Sequence, residues 1–202
     1  MRFVLSVLLL FGLTGCGVLS PVKVRPISHY TISGLGLSHD ASPAISGSGK
    51  STQTLLLQTM MSSPGYQSSD MVYVAKPYQL ESFAYHQWVA PPSQLILPVL
   101  MRALQDRGYY HAVLMAPSSG VSDRVLATRL LYLNENVTNP KQPWVSCAID
   151  VALLDASNDK IIREKVFTEK MKTASDAYSY ATNLNKIMAK MTIQIVDFVS
   201  HA

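Results

Sequence analysis

From Trp144 to Leu154 apolar residues alternate with small or polar ones. Val145, Cys147, Ile149, Val151 and Leu153 fall on one side, and Ser146, Ala148, Asp150 and Ala152 on the other. A helix repeats its apolar residues every three or four positions, so a period of two specifies a strand with one buried face. Ser157-Asn158-Asp159 is a turn cluster, and Lys160–Glu169 returns from it, which predicts an antiparallel hairpin. Val125–Leu133 precedes this pair as a third strand. Such a sheet needs a cover for its apolar face, and the chain supplies one at its end. Across Ser175–His201, Ala177, Ala181, Leu184, Met188, Met191, Ile195 and Phe198 recur at spacings of three or four, while Asn185, Lys186, Lys190 and Asp197 lie elsewhere on the wheel.

The earlier half reads the same way in shorter pieces. His29–Ser33, Thr54–Met60 and Met71–Val74 are short strand candidates, the last ended by Pro77. Over Ser82–Val89 the alternation puts Phe83, Tyr85 and Gln87 on one side and Ala84, His86 and Trp88 on the other. Pro91-Pro92 then open a helix in which Leu97, Leu100 and Leu104 line up, with Gly108 as its stop. Pro98 lies near its start and is a candidate kink. Tyr110–Met115 returns as a strand. The order strands, helix, strands, helix predicts a single α/β (α+β) domain, with a mixed, largely antiparallel sheet packed by two main helices. Composition agrees. Apolar residues are 48% and charged residues only 15%, which excludes disorder and a coiled coil. The net charge of +4 comes from 17 basic residues scattered against 13 acidic ones, so no basic cluster points to nucleic acid.

The N-terminus sets the compartment. Arg2 is followed by an apolar run from Phe3 to Leu13, too short to span a ~30 Å hydrocarbon core. It ends in Leu13-Thr14-Gly15-Cys16, which resembles the lipobox of bacterial lipoproteins. That resemblance implies cleavage before Cys16 and acylation of its thiol and its new amine. Residues 1–15 are then a signal peptide, 16–27 a lipidated tether and 28–202 the domain. Lipoproteins retained at the inner membrane commonly carry Asp after the cysteine; Gly17 departs from this, which points to the periplasmic face of the outer membrane. The only other thiol is Cys147.

One stretch resembles a particular family. It comprises Gly65-Tyr66, Met71-Val72-Tyr73, and Tyr78 through Phe83-Ala84-Tyr85-His86-Gln87-Trp88-Val89-Ala90-Pro91-Pro92 into the Leu-rich helix ending at Gly108. This is similar to the ABC-type transport auxiliary lipoproteins that accompany mammalian-cell-entry (MCE) lipid-transport systems. The resemblance implies an α/β domain on a lipid tether, without catalytic residues or cofactors. The partner it implies is a periplasmic MCE-domain protein. Tyr78, Tyr85, His86 and Trp88 are the candidate partner-binding residues, since Tyr and Trp anchor interfaces; burial at the junction of strand and helix is the competing role of Trp88. The sequence leaves self-association open. A second class also open to such a chain is a plug or assembly factor for an outer-membrane β-barrel.

Motifs that suggest chemistry fail on context. Ala44–Ser51 (AISGSGKS) fits a loose phosphate-binding loop, but Asp40-Ala41-Ser42-Pro43 stands where a buried strand is required. Val151–Asp155 mimics the accompanying Mg²⁺ motif yet leads into a hairpin. Ser157-x-x-Lys160 lies in a turn and lacks the partner motifs of a Ser–Lys nucleophile. Histidines 29, 39, 86, 111 and 201 show no paired ligand spacing. Cys147 shares an apolar face and reads as an inert buried thiol. Met60, Met61, Met188 and Met191 read as core rather than as a lipid-contacting surface.

Replacing Cys16 with Ser tests the anchor directly. The variant is expected to lose acyl labelling entirely and to accumulate uncleaved, as read by metabolic labelling and intact mass.

Overall fold

A computed structural model describes residues 25–33 and 51–201. The lipobox, the tether before Arg25 and the phosphate-loop-like segment up to Lys50 lie outside the described residues. The described strands are Ser28–Tyr30 (β1), Thr54–Leu57 (β2), Met61–Ser62 (β3), Asp70–Lys76 (β4), Gln79–Trp88 (β5), Ala112–Met115 (β6), Arg124–Asn136 (β7), Trp144–Asp155 (β8) and Ile161–Lys172 (β9). The helices are Pro92–Arg107 (α1) and Ala177–Ser200 (α2). Each expected strand and helix is present, with ends moved by a few residues. Thr54–Met60 is strand only to Leu57, while Val125–Leu133 runs on to Asn136.

The nine strands form one sheet, and β7 is its axis. One edge of β7 pairs along its whole length with β8, from Arg124 opposite Asp155 to Asn136 opposite Trp144. The other edge is shared in succession by three parallel strands. Leu55–Leu57 lie against Arg124–Leu126, Met61–Ser62 against Arg129–Leu130, and Tyr73–Val74 against Glu135–Asn136. β6 extends the sheet past β2, β5 and then β1 extend it past β4, and β9 closes the far side beyond β8. The long ladders are antiparallel and the short ones parallel, so the sheet is mixed and largely antiparallel as expected.

Burial follows the alternation. Val145, Cys147, Ile149, Val151 and Leu153 are all fully buried, beneath α2, which packs on β8 and β9 and touches α1. From α2, Tyr180, Leu184, Met188, Met191 and Ile195 enter the same core, and Ile96, Leu100 and Leu104 enter it from α1. Met60 is buried with them, but its neighbour Met61 is 63% exposed, because adjacent residues at a strand point to opposite faces. Cys147 is the free thiol of this core; burial pushes its pKa up to about 12, so it is not a nucleophile at neutral pH.

Local rules set the helix ends. α1 begins with Pro92 in its first turn and ends at Gly108, whose φ of 63° is the left-handed conformation that glycine takes without a Cβ clash. Pro98 lies inside α1 beyond its first turn, so the Gln94 carbonyl four residues back receives no helical amide from it. α2 starts at Asp176, whose carboxylate accepts the Ser179 amide at 2.8 Å. That bond, the first cause, and the helix-start amides hold the Asp176 carboxyl below the usual aspartate range. Substituting Asp176 by Ala is expected to lower stability by ~1 kcal/mol in urea unfolding, and Asn at the same position to retain most of it.

Candidate functional site

The four residues singled out above occupy β5 and its two ends, and the fold treats each differently. Trp88 is 1% exposed. Its amide donates to the Ser69 carbonyl at 2.8 Å, and the next amide, Val89, donates to Tyr30 at 2.8 Å, which pins the corner between β5 and α1. Its ring meets Tyr180 of α2 edge-on, centroids 5.6 Å apart and planes at 81°. Tyr180 in turn donates its hydroxyl to the Leu133 carbonyl of β7 at 3.2 Å. Trp88 therefore holds strand, helix and sheet axis together and presents no surface; the expectation of a docking role for it is corrected to the structural one.

His86 is half-buried, with Nδ1 3.3 Å from the Tyr30 hydroxyl. Its ring lies 6.0 Å from Phe83, nearly perpendicular, and Phe83 also approaches Tyr180 at 6.3 Å. Strict alternation would place Phe83 and His86 on opposite faces. Opposite β5, Asp70 pairs with Gln87 and Val72 with Ser82, so the register slips between them. This bulge lets Phe83, His86 and Trp88 gather toward α2. His86 is thus a packing residue in the same cluster.

Tyr85 and Tyr78 are the exposed pair. Tyr85 is 44% exposed, and the Arg25 guanidinium lies 5.7 Å from its ring centroid. Tyr78 sits in the two-residue turn between Lys76 and Gln79 and is fully exposed. Its φ of 67° is the left-handed conformation that a type II turn requires at this position and that normally calls for Gly. A bulky side chain there costs ~1–2 kcal/mol, and the Tyr78 ring has no packing to offset it. Leu80 beside it is 44% exposed, and its Cδ1 would lie 3.0 Å from a Cβ on Gly65, whose φ of 90° itself favours glycine.

The sequence reading missed Glu135. It is 1% exposed, faces the helices, and its Oε1 has no hydrogen-bond partner among the described residues. Its neighbours across the ladders are Tyr73 and Val145. Burial first, and the Asp176 carboxylate second, push its pKa up to about 7. Alternation counted from Leu126 would send Glu135 to the outer face. A register slip between Leu130 and Tyr132 reverses the parity and turns it inward, and no residue pattern announces that slip.

No group of three or more metal-ligating side chains forms among the described residues. Ser157 and Lys160 lie in the β8–β9 turn, where the Ser157 hydroxyl donates to Asp155 Oδ1 at 2.6 Å, and hydrogen bonds from Ser157 hold that carboxyl below the usual aspartate range.

Residues 36–196 match the sequence profile of the ABC-type transport auxiliary lipoprotein component. The chain belongs to that family. It is accordingly a lipoprotein held to a membrane by its anchor, and no described helix is long and apolar enough to cross one. No curated protein matches it in sequence. Among solved structures, a Xanthomonas campestris protein (XCC0632) is similar over 86% of this chain and 94% of its own, with 17% identity and a TM-score of 0.71. A second, uncharacterised protein is similar over 87% of this chain and 99% of its own, with 14% identity and a TM-score of 0.64. At these identities the likeness is one of fold.

Glu135 gives the domain a measurable pH dependence. An acid whose folded pKa lies above its unfolded value favours the folded state at low pH. That advantage fades as pH rises from about 4.5 toward about 7. Glu135→Gln is expected to raise stability by ~2–3 kcal/mol at pH 8, to have little effect at pH 4, and to flatten the pH profile of the melting temperature between them.

Proposed function

We propose that this lipoprotein is a non-catalytic auxiliary subunit of an MCE-type lipid-transport system, anchored through acylated Cys16 on the periplasmic face of the outer membrane. Membership of the auxiliary family over residues 36–196 carries the reading. The described residues support it with what they are built for. Their titratable and nucleophilic groups are either spread over the surface of strands, helices and turns or, like Cys147 and Glu135, shut inside the core. Such a subunit acts by holding a partner in place.

The partner is a periplasmic MCE-domain protein, and the docking surface we assign is the outer edge of the sheet around Tyr85. Arg25 stacks there, Val89 is 57% exposed and Ile27 46% exposed. An aromatic ring flanked by a guanidinium and aliphatic side chains is the composition from which hot spots are built. His86 lies just beneath and fixes the strand that presents Tyr85.

Tyr85→Ala should weaken co-purification with the MCE-domain protein by about 30-fold in affinity, equivalent to ~2 kcal/mol, while the melting temperature holds. A pull-down from crosslinked membranes checks this. Recovery of a β-barrel assembly component without any MCE-domain protein would overturn the assignment.

A further inference from the structure

The molecule has two chemically distinct ends, and the strand registers show which residues belong to each. β7 runs out at Asn136, next to Trp144 at the start of β8 and, through it, to Lys172 at the end of β9. β4 runs parallel to β7 and passes it, so the turn of Lys76, Pro77 and Tyr78 projects from this same end. Exposed Lys76, Lys141, Lys170 and Lys172 therefore collect here. Lys170 lies over the half-buried Trp144 ring at 5.7 Å. Fully exposed Tyr78 and, from the first turn of α2, 70% exposed Tyr178 stand among them. The acids of this end are occupied or hidden. Asp176 caps α2, Glu81 accepts the Tyr73 hydroxyl at 2.7 Å, and Glu135 is buried. The opposite end is of mixed charge: Asp123, Asp155, Asp159 and Asp197 stand with Arg107, Arg124, Lys160 and Arg163, and Arg124 is paired with Asp155 at 3.1 Å and Arg107 with Asp197 at 3.0 Å.

The chain also leads to the basic end. β1 is parallel to β5, with Ser28 opposite His86 and Tyr30 opposite Trp88. Followed backwards from Ser28, the backbone heads toward Gln79 and the Tyr78 turn. Nine residue steps separate Arg25 from Cys16, a reach of at most ~30 Å.

We propose that this end of the domain is the face that lies on the bilayer, with the Tyr78 turn seated at the headgroup level of an anionic membrane. The inference rests on acylation of Cys16, which places that bilayer within reach of Arg25. Tyrosine and tryptophan rings prefer the membrane–water interface. Lysines around them are attracted to anionic headgroups over a Debye length of about 10 Å. Tyr78 holds an unfavourable backbone conformation for a ring that touches nothing in its own chain, and the headgroup layer supplies the contact it lacks. Four lysines against the two carboxylates of Glu81 and Asp176 leave this end net positive, which matches a negatively charged surface.

The test uses the full acylated chain reconstituted into vesicles of phosphatidylethanolamine and phosphatidylglycerol. Because Cys147 is buried and Cys16 is capped by lipid, a cysteine introduced by Gln79→Cys, or by Val121→Cys at the opposite end, takes a single spin label. The label at 79 is expected to be several-fold less accessible to a water-soluble nickel chelate than the label at 121. Tyr78→Ser, or about 0.5 M salt, should restore its accessibility, and Tyr78→Ser should leave the melting temperature unchanged. Flotation of the chain with the vesicles reports the anchor separately. Flotation with equal accessibility at 79 and 121 would overturn the orientation and leave the anchor standing. Failure to float would overturn both. Sheltering of position 79 only after an MCE-domain protein is added would make this turn a protein interface instead.

Discussion

One edge of β7 is paired along its whole length and the other in three separate stretches, and the rest of the architecture follows from that. One edge takes the unbroken β8 ladder. The other is too long for any single strand of the earlier half, so β2, β3 and β4 divide it among themselves. The sheet consequently branches, with β6 beyond β2 and the β5–β1 pair beyond β4. All three of the strands that share the edge run parallel to β7, which forces connections that cross over instead of tight hairpins. The residues of β7 that face the helices, Leu126, Leu130 and Leu133, are at most 1% exposed. A cavity opened at any of them would loosen both branches at once.

Two register slips then decide what this frame presents. The slip in β7 after Leu130 gives Leu133 and Glu135 to the inner face. The slip between β4 and β5 lets Phe83, His86 and Trp88 share one side. Both converge on Tyr180, which touches Phe83 and Trp88, bonds the Leu133 carbonyl, and has its own hydroxyl pKa raised well above the ordinary value by burial. Tyr180 thus ties α2 to the axis and to the corner that starts α1. A carboxylate enclosed beside such a cluster destabilises the folded state whenever it is charged, because burial removes its solvation and no donor replaces water. That conflict at Glu135 is local, confined to the end of β7.

The domain meets its surroundings through its shape and its outer residues. The core supplies rigidity: α2, β8 and β9 interlock, and ion pairs such as Arg107 with Asp197 at 3.0 Å and Lys190 with Glu169 at 2.8 Å fasten the helices at their rims. The outer residues divide by place. Aromatic and aliphatic side chains line the β1–β5 edge, lysines and exposed tyrosines gather at one end, and aspartates paired with arginines occupy the other. A domain tethered at one point and polarised along its sheet can hold a defined orientation at a membrane, which a uniformly charged body could not.

Much of this was legible in the residues because the relevant signals are local. The period-two run of β8, the Ser157-Asn158-Asp159 turn and the heptad-like spacing of α2 each specify an element through neighbouring side chains alone. Pro91-Pro92 and Gly108 bracket α1 for the same reason. The lipobox at Cys16 and the family resemblance around Trp88 are likewise linear patterns. Cys147 was readable as an interior group because Val145, Ile149 and Val151 share its face, whereas Trp88, beside His86 and Gln87, left burial and docking both open. Tertiary structure alone decided which face Glu135 takes, that Phe83 joins His86, that Trp88 is spent on Tyr180, and which lysines share an end with Tyr78. Those outcomes depend on bulges and on pairings between strands more than fifty residues apart in the chain, as with Ser28 and His86. A sequence encodes such pairings only through the total burial they achieve together, and no short window contains that sum.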